Sequence, residues 1–89
     1  MSRTLSIGVG QAVREFRQER GLMLKTLAKM LGITSGALSH LECGNRKINL
    51  DLLEKIARKL GTSASEIILR ADRLRKGETD AVEDRVVGK

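Results

Sequence analysis

The chain is expected to fold as a single all-α domain of five helices, and three observations lead there. Among its 89 residues 40% are hydrophobic, yet there is one aromatic residue, Phe16, and no Trp, Tyr or Pro. The apolar content is therefore Leu, Ile, Val, Ala and Met, the composition of a small helical domain. Apolar residues recur at helical spacing along most of the chain with no strand signal, and Gly21, Gly32, Gly44 and Gly61 fall just past four of those stripes.

Val9, Ala12, Val13 and Phe16, on the face that also carries Arg20, predict a first helix over 7–20 with Gly21 as its stop. Leu24, Leu27, Ala28 and Leu31 make a short second helix over 24–31 that ends at Gly32. Thr34 is placed to cap a third, 35–43, whose inward residues are Ala37, Leu38 and Leu41 and which Gly44 closes. After the polar loop 44–47, Asn49 caps a fourth over 50–60, with Leu53, Ile56, Ala57 and Leu60 inside and Gly61 just past its end. Ser63 followed three residues later by Glu66 is a capping box, and it opens a fifth helix over 64–75 with Ile67, Ile68, Ala71 and Leu74 on one side. The domain thus spans 1–76. The polar stretch 77–89 is expected to be a flexible tail, although Asp80 and Glu83 could cap a short further helix bearing Val82, Val86 and Val87.

Seventeen Lys plus Arg against eleven Asp plus Glu give a net charge of +6 and a pI near 10.1. Residues 1–70 hold 12 basic and 6 acidic side chains and residues 71–89 hold 5 of each, so the whole excess lies on the helical domain. A basic domain attracts polyanions, although scattered Lys and Arg also make an ordinary solvated surface. A chain this short buries about 60–65% of its unfolded surface, which leaves little core around an enclosed active site. One His, one Cys and no clustered carboxylates give catalysis nothing to build on, so the chain is not expected to be an enzyme and no cofactor or metal is expected. Cys43 has no internal disulfide partner, no apolar run is long enough to span a membrane, and the N-terminal residues lack the apolar stretch of a secretion signal. A cytoplasmic location is expected. The Met1 start and the polar end suit a complete chain, the alternative being a module of a longer regulator.

Two short helices around a Gly-containing turn, between Leu24 and Cys43, fit a helix-turn-helix unit. Ala28 supplies the small side chain a steep helix crossing needs, Gly32 supplies the turn, and Ile33, Leu38 and Leu41 plug the crossing. These positions serve packing, so a plain two-helix corner without a ligand would carry them too. Gly8-Val9-Gly10 lacks a preceding strand and a third Gly, and is discounted as a dinucleotide loop.

Val13 to Arg17, Gly21-Leu22, Leu27-Ala28, Leu31 to Thr34, Leu38 to Glu42, Gly44, Ile56-Ala57 and Leu60-Gly61 fall together in a register that resembles the helix-turn-helix regulators of the phage-repressor and xenobiotic-response-element type, which include restriction-modification controller proteins and many antitoxins. The resemblance covers roughly residues 9–70. It implies a phage-repressor-like domain that binds double-stranded DNA as a homodimer on a pseudo-palindromic operator, with the third helix in the major groove. By position, Thr34, Ser35, Gly36, Ser39 and His40 would face base edges, and Lys25, Lys29, Asn45, Arg46 and Lys47 would hold phosphates. The resemblance also implies a structural ion pair between Arg17 and Glu42, whereas Arg14 is read as merely exposed. Met23 and Leu24 stand where the family usually has a Thr cap and a phosphate-gripping Gln, Ile48 replaces a common Pro, and Cys43 a common basic residue.

Leu52 and Leu69, about 100° round from Leu53 and Ile68, are more apolar surface than one buried stripe uses, which points to a dimer interface of Leu52, Ile68 and Leu69. The leading expectation is a transcriptional regulator of the repressor or controller kind. The alternative is an antitoxin that neutralises a toxin protein through the 82–87 segment and autoregulates its operon.

Overall fold

Side chains from all five helices meet in one core, and the caps decide where each helix turns into it. The computed structural model describes the backbone of residues 2–87 and the side chains of residues 5–75. The elements are α1 (Ser2–Glu19), α2 (Leu24–Leu31), α3 (Ser35–Glu42), α4 (Leu50–Leu60) and α5 (Ala64–Val87), with no strand among the described residues. Thr34 Oγ1 accepts from the Ala37 N–H at 3.0 Å, Asn49 Oδ1 from the Leu52 N–H at 2.7 Å, and Ser63 Oγ from the Glu66 N–H at 3.1 Å. Each bond satisfies one of the donors that a helix N-terminus leaves without an intrahelical partner. Met23, at the N-cap of α2, makes no such bond.

Two helices are longer than expected. α1 begins at Ser2 rather than near Ile7, through two glycines that weaken a helix yet serve its packing. A Cβ on Gly10 would fall against the Leu41 carbonyl oxygen and 2.7 Å from that of Glu42, and one on Gly8 would lie 2.9 Å from the carbonyl oxygen of Ala71. The two glycines let α1 press its backbone onto the end of α3 and onto α5. α5 continues past residue 75 to Val87. There is no Pro to break it, and one Gly inside a helix costs only about 1 kcal/mol. The roles expected of Asp80, Val82, Glu83, Val86 and Val87, and the flexibility expected of 77–89, concern residues outside those whose side chains are described.

The core comprises Val9, Ala12, Val13 and Phe16 of α1, Leu27, Ala28 and Leu31 of α2, Leu38 and Leu41 of α3, Leu53, Ile56, Ala57 and Leu60 of α4, and Ile67 and Ala71 of α5. Ile68 is not in it: Ile67 takes the inward position, and the next residue, about 100° round the helix, faces outward. Leu24 and Leu74 pack on the core's rim, half-buried. Arg20 is at the surface, where its Nε donates to the Leu60 carbonyl at 2.6 Å. The guanidiniums of Arg20 and Arg70 lie 5.2 and 4.0 Å from the Phe16 ring centre, and Arg70 also bridges Glu15 and Glu19 of α1. The hydrogen bond from Arg70 holds the Glu19 carboxyl below its ordinary pKa.

Candidate nucleic-acid interface

The α2–α3 pair is built from the turn outward. Gly32 adopts φ 73° and ψ 29°, a left-handed conformation that costs Gly nothing. Its N–H reaches the Lys29 carbonyl at 3.1 Å and that of Ile33 reaches the Ala28 carbonyl at 3.0 Å, so the last carbonyls of α2 are satisfied while the chain reverses. Ala28, 2% exposed, lets α3 cross close above α2.

Four hydrogen bonds from two side chains, Arg17 and Lys55, then fix the pair to the rest of the domain. Arg17 Nε and Nη2 donate to the two carboxylate oxygens of Glu42 at 2.8 and 3.1 Å, and Nη1 donates to the Leu22 carbonyl at 2.8 Å. One side chain thereby ties α1, the loop before α2, and the end of α3. The pair is nearly dry, with side-chain exposures of 11% and 6%. From the other side Lys55 Nζ of α4 donates to the Leu31 carbonyl at 3.0 Å, fastening the C-terminus of α2. The α2–α3 pair is therefore fastened by α1 at the end of α3 and by α4 at the end of α2, as well as by its own turn.

Thr34, Ser35, Gly36 and His40 are exposed along α3, and Ser39 is half-buried between them and the core. Capping commits the Thr34 oxygen as an acceptor, which leaves its O–H free to donate outward. A Cβ on Gly36 would meet only Thr34 Oγ1, at 3.9 Å, so packing does not demand Gly there. Lys25 and Lys29 of α2 and Asn45, Arg46 and Lys47 of the loop after α3 are all exposed, on the segments directly before and after the α3 face. Of the expected apolar surplus, Ile68 and Leu69 are 37% and 54% exposed, but Leu52 is half-buried against the core. The residue that protrudes from the start of α4 is Leu50, 77% exposed. It lines an apolar depression of about 160 Å³ with Leu5, Val9, Ile48, Leu53 and Ile68. Sequence reasoning missed Leu50, Lys55 and the packing glycines. Among the described residues no group of three His, Cys, Asp or Glu could hold a metal ion, and no helix is long and apolar enough to cross a membrane.

Comparison with known proteins agrees with this geometry. The family model described as helix-turn-helix matches residues 13–67. An uncharacterised HTH-type transcriptional regulator of Mycobacterium tuberculosis is 33% identical over 78 residues, covering 88% of this chain and 56% of that protein. The chain thus spans little more than half the length of that relative. The crystal structure of the clp gene regulator ClgR from Corynebacterium glutamicum superposes with a TM-score of 0.85 at 28% identity, covering 93% of this chain and 88% of that one. The restriction-modification controller protein C.AhdI from Aeromonas hydrophila superposes with a TM-score of 0.65 at 31% identity, covering 68% and 92% of the two chains.

Proposed function

Because the chain belongs to the helix-turn-helix family, as a relative of the HTH-type transcriptional regulators, we propose that it binds operator DNA as a homodimer and regulates transcription in the cytoplasm. The observation that carries this reading is the outer face of α3. Its residues are small or polar and mostly exposed, the helix end is anchored by Arg17 on Glu42 while Lys55 anchors α2 before it, and cationic residues lie on the segments before and after it. Thr34, Ser35, Gly36, Ser39 and His40 meet base edges in the major groove. Lys25, Lys29, Asn45, Arg46 and Lys47 hold phosphates, so most of the affinity is electrostatic and common to all sequences. With one imidazole and a few hydroxyls in place of Arg or Gln forks, direct discrimination per base pair is modest and DNA shape contributes the rest.

The second copy docks on the apolar face of α4 and α5. Leu50, Leu69 and Ile68 lie exposed on these two helices, Leu5 of α1 shares the depression with Leu50 and Ile68, and covering each would contribute about 1.5–3 kcal/mol. A two-fold axis there would set two α3 helices to read half-sites about one helical turn apart.

Binding measured over a salt series on an operator and on a scrambled duplex tests the reading. His40→Ala relaxes preference at one or two base pairs by about 1–3 kcal/mol and leaves the salt slope unchanged, whereas Arg46→Ala weakens binding to both duplexes and flattens the slope. Two variants that leave both duplexes bound as before would defeat the assignment.

A further inference from the structure

We propose that Arg14, on the first helix and outside the helix-turn-helix unit, is an additional contact to the DNA backbone, made beside α3. The inference rests on the DNA-binding reading above and extends its contact surface to α1.

The arginines at positions 14, 17 and 20, in the second half of α1 and just past its end, differ in what they already hold. Arg17 spends its guanidinium on Glu42 and on the Leu22 carbonyl. Arg20 donates to the Leu60 carbonyl, pairs with Glu19 and covers Phe16. Arg14 is exposed and has no hydrogen bond or ion pair among the described residues. It is not on an unrelated surface, however. It lines a cleft of about 220 Å³ together with Leu24 at the start of α2 and with Ser39, Glu42 and Cys43 along the second half of α3. Ser39 is one of the residues assigned to base edges, so a duplex seated on α3 brings a strand of its backbone past the mouth of this cleft.

The cleft has no free acid of its own. Its carboxylate, Glu42, is 6% exposed and already neutralised by Arg17. An unpaired guanidinium beside a neutralised pair favours an anion that approaches from outside, and the planar fork of Arg matches phosphate oxygens. Leu24 and Cys43, on either side, offer no donor that would compete for that phosphate through a charge. The DNA backbone would then be held from α1 as well as from the cations of α2 and of the loop after α3.

The experiment uses the full chain and a fluorescent mixed-sequence duplex of about 30 base pairs, some three helical turns. Affinity is measured over a salt series for the wild type, Arg14→Ala, Arg14→Lys and Lys59→Ala, an exposed cation of α4 outside the cleft. One lost phosphate contact lowers the salt slope by about 0.9 per protomer, and this corresponds to about eightfold weaker binding per protomer near 0.1 M salt. Arg14→Ala is expected to show that loss with an unchanged melting temperature, Arg14→Lys to restore the slope, and Lys59→Ala to keep the wild-type slope. Alkylation of Cys43 by N-ethylmaleimide is expected to slow when the duplex is bound, because the strand covers the cleft. A wild-type slope in Arg14→Ala, an equal drop in Lys59→Ala, or alkylation of Cys43 unaffected by saturating duplex overturns the proposal while leaving DNA binding intact. A wild type that fails to bind the duplex at any salt overturns the DNA-binding reading itself.

Discussion

Replacing Gly10 by Ala tests how closely α1 must approach α3. In an ordinary helix interior the change is stabilising by up to about 1 kcal/mol, because Ala is the better helix former. At Gly10 the added methyl would meet the Leu41 carbonyl oxygen, the Glu42 carbonyl oxygen at 2.7 Å and the Glu42 carbonyl carbon at 2.9 Å. These are backbone atoms, unable to swing aside as a side chain tip would, so α1 and the end of α3 must separate. Overpacking of a dense core costs about 1–3 kcal/mol, and the rigid surroundings place this site near the upper end. Subtracting the helix term leaves a net loss of about 2 kcal/mol, equivalent to a melting temperature lower by roughly 8–16 °C in a domain of this size. Gly36→Ala is the matched control. Its methyl meets only Thr34 Oγ1, at 3.9 Å, so stability should hold or rise by up to about 1 kcal/mol. Thermal and urea denaturation followed by circular dichroism, at one protein concentration for all variants, gives both numbers. If Gly10→Ala proves as stable as Gly36→Ala, the close approach of α1 to α3 is wrong.

Further expectations concern the scaffold. Arg17→Ala and Glu42→Ala should each cost about 3–5 kcal/mol, because each strands a nearly dry charge, and the double variant should cost clearly less than their sum. Additive losses below about 0.5 kcal/mol in urea titrations would make the pair an exposed, weak one. Glu19→Gln should destabilise at neutral pH but not in acid. Arg70 lowers the folded-state pKa of Glu19, so its contribution is present above the ordinary carboxylate range and disappears as pH falls through the lowered value. Stability–pH curves of wild type and variant that run parallel down to acid would contradict that. Leu50→Glu should leave a folded monomer if the apolar depression is the dimer seat, and sedimentation equilibrium showing no change in mass would remove it from the interface.

What could be read in the sequence was what is local. Thr34, Asn49 and Ser63 each cap the N–H three positions on, and Gly32 and Gly61 end α2 and α4 where a left-handed residue is needed, so these helix starts and ends followed from neighbours in the chain. The start of α1 was placed late because Gly8 and Gly10 weaken a helical pattern, and their reason lies on α5 and α3, distant in sequence. Lys55 on the Leu31 carbonyl and Arg20 on the Leu60 carbonyl are 24 and 40 residues from their partners, and no spacing rule reaches that far. Leu50 was passed over for Leu52 because the helical wheel alone does not say where the core ends at the first turn of α4. The set proposed to face bases, Thr34 and the outer residues of α3, carries no charge or apolar pattern of its own. The resemblance alone suggested it, and the structure adds that Thr34, Ser35, Gly36 and His40 are exposed and Ser39 half-buried.

The most direct test of the central claim is selection of bound duplexes from a random library by the purified chain. Enrichment of a pseudo-palindrome whose two half-sites lie about one helical turn apart, bound with a steep salt dependence and with preference at one or two base pairs relaxed by His40→Ala, is the result expected of a dimer reading DNA through α3. A library that returns no enriched site, from a chain that instead captures a partner protein through residues 78–89, would contradict it.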